Sequence, residues 1–321
     1  MINNSLTGKK HANHLWNSFK KQAYLQAFVL IGILFLFVFS YIPMIGLIIA
    51  FKDYVLTDGV KGFFTSPWVG LKYFMEFFTE VDSGMIIRNT FGISILKVIF
   101  TFPVPIIFAI MISEVGPLKY KKVVQTASYL PHFISWVVVY GLVFSFFSND
   151  GVINSALKSL NIIDKSLPFL TDPSKFWPLA VISDAWKEFG WWAIIFIAAI
   201  VGIDPSIYEA AQIDGASRLQ KIRYVTLPGI QGTICVVLIL TLGNLLGGGM
   251  SGSNFEQSLL LGNNLNREAS EILQTHILKV GLVQLRYSYA AAVGMLQSVI
   301  SVVMIFGSNF IIKKLSGTGL Y

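Results

Sequence analysis

Apolar positions along the chain gather into six long runs, at about residues 24–51, 88–113, 127–148, 179–202, 230–247 and 289–312. A helix needs roughly 20 residues to cross a bilayer, so the pattern predicts six membrane-spanning helices. Six crossings place both ends of the chain on one side. The polar intervals then alternate between the two faces, and their basic residues decide which face is cytoplasmic. Residues 1–23, 114–126, 203–229 and 313–321 carry 12 Lys and Arg in 72 positions, against 9 in 107 for residues 52–87, 149–178 and 248–288. The sequence therefore predicts a cytoplasmic tail at 1–23, a transmembrane domain at 24–312 with a cytoplasmic loop at 203–229, and a cytoplasmic tail at 313–321.

Composition agrees with this reading. Of 321 residues, 54% are apolar and only 13% charged, with a mean hydropathy of +0.66, whereas a soluble domain carries about 25% charged residues. The net charge of +7 acts through its placement along the chain, and no nucleic-acid partner is expected. Cys235 is alone and forms no internal disulfide. Lys9, Lys10, Lys20 and Lys21 followed by an apolar run have the look of a secretory signal. That run exceeds a signal's core of about 7–15 residues and no small-residue cleavage pattern follows, so it is expected to stay as a span. Pro43, Pro103, Pro105 and Pro131 fall in or beside spans, where they kink helices and where protein or a wet cavity must satisfy the freed backbone.

The three intervals assigned to the outer face are short. Residues 52–87 are rich in Phe, and 149–178 carries turn signals at Asn149-Asp150-Gly151 and Asp172-Pro173. Gly247-Gly248-Gly249 and Ser251-Gly252-Ser253 have the composition of a flexible hinge. An apolar period from Glu268 to Val283 then reads as one short helix, re-entrant or lying at the outer surface.

The 203–229 loop carries stronger signals. Asp204 is an N-cap with Pro205 at the first helical position, predicting a helix to about Asp214. Gly215 supplies the left-handed residue that closes it. Ser217 caps a second helix, Arg218 to Thr226, and Pro228 opens the next span. Ala210 and Ala211 are small enough for another surface to approach closely, and Glu209 and Asp214 lie within a few turns of Arg218, Lys221 and Arg223. These residues alone fit either an amphipathic loop resting on lipid or a handle that transmits motion to something outside the bilayer.

Ionisable residues inside spans are costly and face bundle interiors or cavities. Lys97 lies about 13 Å along its helix from Arg88 at 1.5 Å per residue. Asp184, Lys187 and Glu188 fall in the outer half of the fourth span, followed by Trp191 and Trp192. Positions 184, 188 and 191 share one helical face, at a depth where Glu188 can meet Lys97. Two readings stay open. One is structural: an interhelical salt bridge or an Asp184–Lys187 pair, with tryptophans as interface anchors. The other is a carbohydrate path, in which acids accept hydroxyl hydrogen bonds, aromatic faces cover sugar rings, and Asn244 contributes from the fifth span. His132 reads as a structural turn residue after Pro131, and Gln297 and Asn309 as interhelical hydrogen-bonding groups.

Nothing in the sequence supplies covalent chemistry. A phosphate-binding loop needs a glycine, four residues, then Gly-Lys and a hydroxyl residue; Gly8-Lys9-Lys10 lacks the first glycine and the hydroxyl. There is no HExxH or CxxC pair for a metal and no glycine-centred serine elbow. No catalytic residue, metal or cofactor is expected in this chain.

One spacing is specific. Glu209-Ala210-Ala211, three residues, Gly215, nine residues, then Val225-Thr226-Leu227-Pro228 resembles the EAA signature of permease subunits of bacterial ABC importers of the binding-protein-dependent, MetI-like type. The one departure is Val225 where the signature has isoleucine. Further segments resemble the carbohydrate-uptake branch with its LplB-like oligosaccharide permeases: Ile42-Pro43-Met44-Ile45-Gly46, Ala50-Phe51-Lys52-Asp53-Tyr54, Asn89-Thr90, Tyr129 to Trp136, Ile203-Asp204-Pro205, Tyr287 to Gly294 and Gly317-Thr318-Gly319-Leu320.

The resemblance implies an all-α polytopic membrane protein with the type I ABC importer permease fold, six transmembrane helices and cytoplasmic coupling helices, in a bacterial cell membrane. It implies coupling to an ATPase through Glu209, Ala210, Ala211, Asp214, Gly215, Arg218, Leu227 and Pro228. The implied partners are a second homologous permease, two ATPase subunits that hold ATP and Mg, an extracytoplasmic solute-binding protein, surrounding lipid, and an oligosaccharide as substrate. The substrate path would use Lys97, Asp184, Glu188, Trp191, Trp192 and Asn244. Two rival classes remain: an ion-coupled secondary transporter, which would also use buried charges but commonly shows inverted repeats that are not evident here, and a membrane scaffold with a static docking loop.

Overall fold

The computed structural model describes residues 22–317. Lys9, Lys10, Lys20 and Lys21, and Thr318 to Leu320 of the C-terminal match, lie outside the described residues. Among the described residues the chain is helical throughout, with a single isolated antiparallel bridge between Lys52 and Trp68. In chain order the main helices are α1 (Ala23–Phe51), α2 (Lys72–Thr79), α3 (Ser83–Ser113), α4 (Leu118–Tyr129), α5 (Trp136–Phe147), α6 (Pro173–Val201), α7 (Pro205–Ile213), α8 (Arg218–Gly229), α9 (Gln231–Gly243), α10 (Asn254–Leu261), α11 (Leu273–Leu278) and α12 (Tyr287–Ser316). Four stretches are long and apolar enough to cross a membrane by themselves, those containing α1, α3, α5 and α12. Two further apolar stretches are bent, α6 against α7 by 69° and α8 against α9 by 60°, and counting each as one crossing gives up to six.

The prolines act where the sequence placed them. A proline ring clashes with the carbonyl four residues back. Widened turns at Phe37–Tyr41 and Ile222–Thr226 hold those carbonyls of Pro43 and Pro228, which keeps each helix continuous. Pro131 lies in a tight turn, Leu130–Phe133, and this corrects the third predicted span. Residues 118–129 form a helix of their own, and the helix in the 127–148 window starts only at Trp136, capped by Ser135 Oγ accepting from Val138 N.

Residues 244–283 differ most from expectation. The glycine-rich stretch is buried and folded: Leu246 is 1% exposed and Asn254 fully buried. Gly248, Gly249 and Gly252 hold positive φ of 110°, 68° and 66°, the region that glycine occupies without steric cost. The predicted helix from Glu268 to Val283 breaks after Ser270 and resumes at Leu273. The break is stabilised by polar side chains of α3. Asn89 Nδ2 donates to the Glu268 and Glu271 carbonyls at 2.9 and 3.0 Å, and Thr90 Oγ1 accepts from Leu273 N at 2.9 Å. Similarly, α10 is tied inward by Asn254 Nδ2 to Ser94 Oγ at 2.8 Å and by Gln257 Nε2 to the Ala180 carbonyl at 2.8 Å. The segment is therefore interior structure, with Ile272 fully buried.

Three larger apolar clusters, with a smaller one at Cys235, Ile239 and Ile312, hold the bundle among the described residues. One joins Ala50, Phe77, Ile86, Leu273, Tyr289 and Val293; a second joins Ile93, Trp136, Val139, Phe176, Ala180 and Ile272; a third joins Phe102, Ala109, Ala193, Phe196, Ile230 and Val237. By contrast, α1 buries none of its residues from Ala23 to Ile45.

Beside the first cluster lies a charged network outside the membrane-spanning stretches. Glu271, 8% exposed, has His276 Nδ1 at 3.6 Å and Lys279 Nζ at 3.8 Å, and is bonded by Arg267 Nε. His276, and then Arg267, hold its carboxyl down to about 2 from the ordinary 4.5, against the opposing effect of burial. A carboxyl depressed in this way stabilises the fold above the ordinary value, and that contribution is lost as pH falls through the folded one. Glu271→Gln should lower stability at pH 7 by about 1–3 kcal/mol, measured by thermal unfolding in detergent. Its deficit against wild type should narrow between about pH 4.5 and 2; an unchanged deficit over that range would contradict the assignment.

Candidate functional site

The 203–229 loop forms two capped helices. Asp204 Oδ1 accepts from Ser206 N at 2.9 Å and starts α7. At its end, Ala216 N donates to the Ala211 carbonyl at 2.9 Å and Gly215 N to the Gln212 carbonyl at 3.1 Å. These two bonds form the Schellman closure, with Gly215 at φ +75° in the position that favours glycine. Ser217 and Gln220 then make a capping box that starts α8, satisfying two otherwise unpaired donors. Tyr208 OH lies 3.0 Å from Thr226 Oγ1 and ties the two helices together. At the base of the hairpin a Cβ on Gly229 would come within 2.6 Å of Ile203 Cδ1, so the two arms leave the bundle pressed together.

Glu209, Ala210, Asp214, Gly215, Arg218, Leu227 and Pro228 are all exposed on this hairpin, with Ala211 half-buried. Among the described residues no ion pair joins Glu209 or Asp214 to Arg218, Lys221 or Arg223; the acids and bases share the loop without touching. Sequence reasoning passed over the loop's apolar residues. Ile213 is 87% and Leu219 78% exposed, one on each side of Gly215. The available signal was two large aliphatic residues flanking a turn, where composition favours polar ones.

A second polar site lies inside the bundle. Lys97 and Asp184, 2% and 1% exposed, face each other at 3.6 Å across α3 and α6. Ser253 Oγ accepts from Lys97 Nζ at 2.6 Å and donates to Asp184 Oδ1. Glu188 belongs to a different set: Lys187 Nζ lies 2.9 Å from its Oε1, and His132 Nδ1 2.7 Å from its Oε2. Lys187 also donates to the His132 carbonyl at 2.7 Å. The expected Lys97–Glu188 and Asp184–Lys187 pairings are therefore exchanged for Lys97–Asp184 and Lys187–Glu188.

Lys97, Asp184, Glu188 and Trp192 line one cavity with Thr101, Thr241 and the glycine-rich turn, with a volume of about 10 Å³. That is room for about one water. The other two path candidates face elsewhere. Trp191 stacks on His132 with centroids 4.3 Å apart and planes at 2°, and Asn244 turns its Nδ2 onto the Gly249 carbonyl at 2.9 Å. His132 is thus a packing residue of the 130–133 turn that also holds Glu188.

Two exposed, capped helices between membrane spans and a buried charge cluster on one of those spans suit a protein that couples an outside event to a passage. The family described as "Binding-protein-dependent transport system inner membrane component" matches residues 93–317. The chain belongs to that family. Among its relatives, Protein LplB of Bacillus subtilis (strain 168) is 41% identical over 303 residues, covering 94% of this chain and 92% of that one. The polygalacturonan/rhamnogalacturonan transport system permease protein YteP of the same organism is 39% identical, covering 94% and 91%. A solved bacterial alginate ABC transporter, in complex with an alginate pentasaccharide-bound periplasmic protein, superposes with a TM-score of 0.85 at 38% identity, covering 95% of this chain and 99% of that one. As an inner membrane component of this family, the chain is a multi-pass membrane protein with an ABC importer permease fold.

Removing one partner of a buried ion pair leaves an uncompensated charge and costs about 3–5 kcal/mol. Lys97→Met or Asp184→Asn alone should therefore destabilise strongly in thermal unfolding, while the double variant regains most of the loss. Additive losses in the double variant would show that the two side chains do not interact.

Proposed function

We propose that the chain is the permease subunit of an ATP-driven ABC importer that takes up a carbohydrate, as an oligosaccharide delivered by an extracytoplasmic solute-binding protein. The observation that carries the coupling is the geometry of the hairpin. The Glu209 to Pro228 anchors occupy two capped helices that bridge α6 and α9, with Ile213 and Leu219 offered to a partner. In this reading residues 203–229 face the cytoplasm and dock on an ATPase subunit that holds ATP and Mg. The chain itself performs no covalent step. A docked surface that bound both conformations equally would shift nothing, so the ATPase must grip the hairpin differently in its open and closed states.

The stiff base at Ile203 and Gly229 passes that displacement to α6, which carries Asp184, Glu188 and Trp192. A path for sugar along this face accounts for polar groups that a purely structural bundle has no need to bury. The carbohydrate class is supported by the relatives, whose names specify polygalacturonan/rhamnogalacturonan and alginate. The periplasmic protein in the alginate complex supports a binding-protein partner. A second homologous permease completes the assembly in this reading, with the unburied apolar length of α1 facing lipid or that partner. An ion-coupled secondary transporter is not favoured, since the relatives are ABC transporter permeases.

Vesicles reconstituted with the partner subunits test the whole reading. Uptake of labelled oligosaccharide should require ATP and the loaded binding protein; uptake driven by a proton or sodium gradient, or no flux, would overturn it. Within that assay, Gly215→Val forces a β-branched residue to a positive φ, a strain of about 1–2 kcal/mol or more at the turn. It should insert normally and keep hydrolysing ATP while sugar moved per ATP falls severalfold. Full coupling by that variant would remove the mechanical role of the turn.

A further inference from the structure

Near the start of both α3 and α6, a groove of about 640 Å³ opens between the two helices and the Arg267–Ser270 turn. That volume is in the range of pockets that hold small molecules. Trp177 is the rigid part of its lining: a Cβ on Gly92 would come within 2.4 Å of the indole ring, and Nε1 donates to the Ala269 carbonyl at 2.9 Å. Because α6 runs from Pro173 to Val201 at 1.5 Å per residue, the groove lies about 40 Å from the 203–229 hairpin, at the opposite membrane boundary.

One end of the groove is polar. Arg88, Asp172, Ser174 and Glu268 line it. Arg88 Nη2 donates to the Glu268 carbonyl at 2.8 Å, and one oxygen of Asp172 accepts from Ser174 N at 2.9 Å. Although a cation and two acids share this space, none of the three forms an ion pair among the described residues. Pro178 has no N–H to give the Ser174 carbonyl four residues back, which adds an acceptor on a residue of the same lining. The other end is apolar. Leu96 lies eight residues beyond Arg88, about 12 Å further along α3, within a hydrocarbon core about 30 Å thick. Ile99 and Ile182, one turn beyond Leu96 and Pro178 on the same helix faces, are 54% and 63% exposed. The groove therefore continues into the apolar surface of the spans.

We propose that this groove binds one phospholipid with a primary-ammonium headgroup, its phosphate on Arg88, its ammonium among Asp172, Glu268 and the Ser174 carbonyl, and an acyl chain along Leu96, Trp177 and Pro178. Charge complementarity selects the ligand. A lipid with only a negative headgroup satisfies Arg88 and is repelled by the two acids, and a choline headgroup has the positive charge without an N–H to donate. A primary ammonium offers three donors, and charge-assisted hydrogen bonds are stronger than neutral ones. The bound lipid ties together the ends of α3 and α6, the same helices that are joined deeper in the bundle by Lys97 and Asp184.

Native mass spectrometry of the full-length chain, stripped of lipid in detergent and given ethanolamine, choline or glycerol phospholipids with identical acyl chains, tests this. The ethanolamine lipid should half-saturate one site at a concentration about tenfold below either of the others, as for one charged hydrogen bond. Arg88→Gln should weaken its binding about tenfold. Asp172→Asn combined with Glu268→Gln should erase the preference over the choline lipid while keeping the start of α6, since Asn caps a helix as well as Asp. Leu96→Trp fills the apolar end and should displace the lipid with every headgroup partner in place. Equal retention of the three lipids by the unaltered chain, a measurement that needs no variant to fold, would overturn the proposal. So would a preference for ethanolamine that persists in the double acid variant. Displacement of the lipid by equimolar free phosphoethanolamine would show a site for a soluble zwitterion and overturn the lipid.

Discussion

Polar groups inside a bilayer must find their partners within the protein, because hydrocarbon offers none. This chain breaks its helices repeatedly, and the breaks between residues 244 and 273 are held by polar side chains from neighbouring helices or from the turn itself. Asn89 and Thr90 hold the interruption at 268–273, Asn254 and Gln257 seat α10 against α3 and α6, and Asn244 folds back on its own turn. These bonds allow the 244–283 segment to lie inside the bundle. Without them the same backbone would leave buried donors and acceptors unpaired.

The two carboxylates of α6 illustrate how position divides one chemistry into two roles. Glu188 pairs with the adjacent Lys187 and with His132 of the preceding turn, which fixes the 130–133 turn to α6. Asp184, one helical turn away, pairs with Lys97 on α3 and with Ser253 on a glycine turn. The first set fastens α6 to the turn that leads into α5. The second joins three separate elements through the Lys97–Asp184 ion pair and the bridging Ser253 hydroxyl.

Mechanical stiffness is concentrated in the 203–229 hairpin. Both of its helices begin with side-chain caps, the first ends in a hydrogen-bonded glycine closure, and Tyr208 with Thr226 braces the pair. A widened turn before Pro228 keeps α8 continuous to Gly229. A hairpin so braced moves as a unit and transmits force through the Ile203–Gly229 contact, while its exposed Ile213 and Leu219 give a partner apolar area to hold.

The sequence by itself determined the class and the hairpin down to its caps at Asp204 and Ser217 and its left-handed residue at Gly215. All of these are local: hydrophobic length, N-cap chemistry and the steric freedom of glycine act within a few residues of one another. It also identified Lys97, Asp184 and Glu188 as costly and therefore meaningful, since burying a charge is expensive wherever it occurs. Only the tertiary structure decided how they pair, because helix rotation, set by packing across three apolar clusters, gave Asp184 to Lys97 and Glu188 to Lys187. The same holds for 248–253, whose glycines and serines match a loose linker in composition. Their burial depends on Lys97, Asp184 and Ser94, residues roughly 70 to 160 positions away, and no local pattern reports partners at that distance.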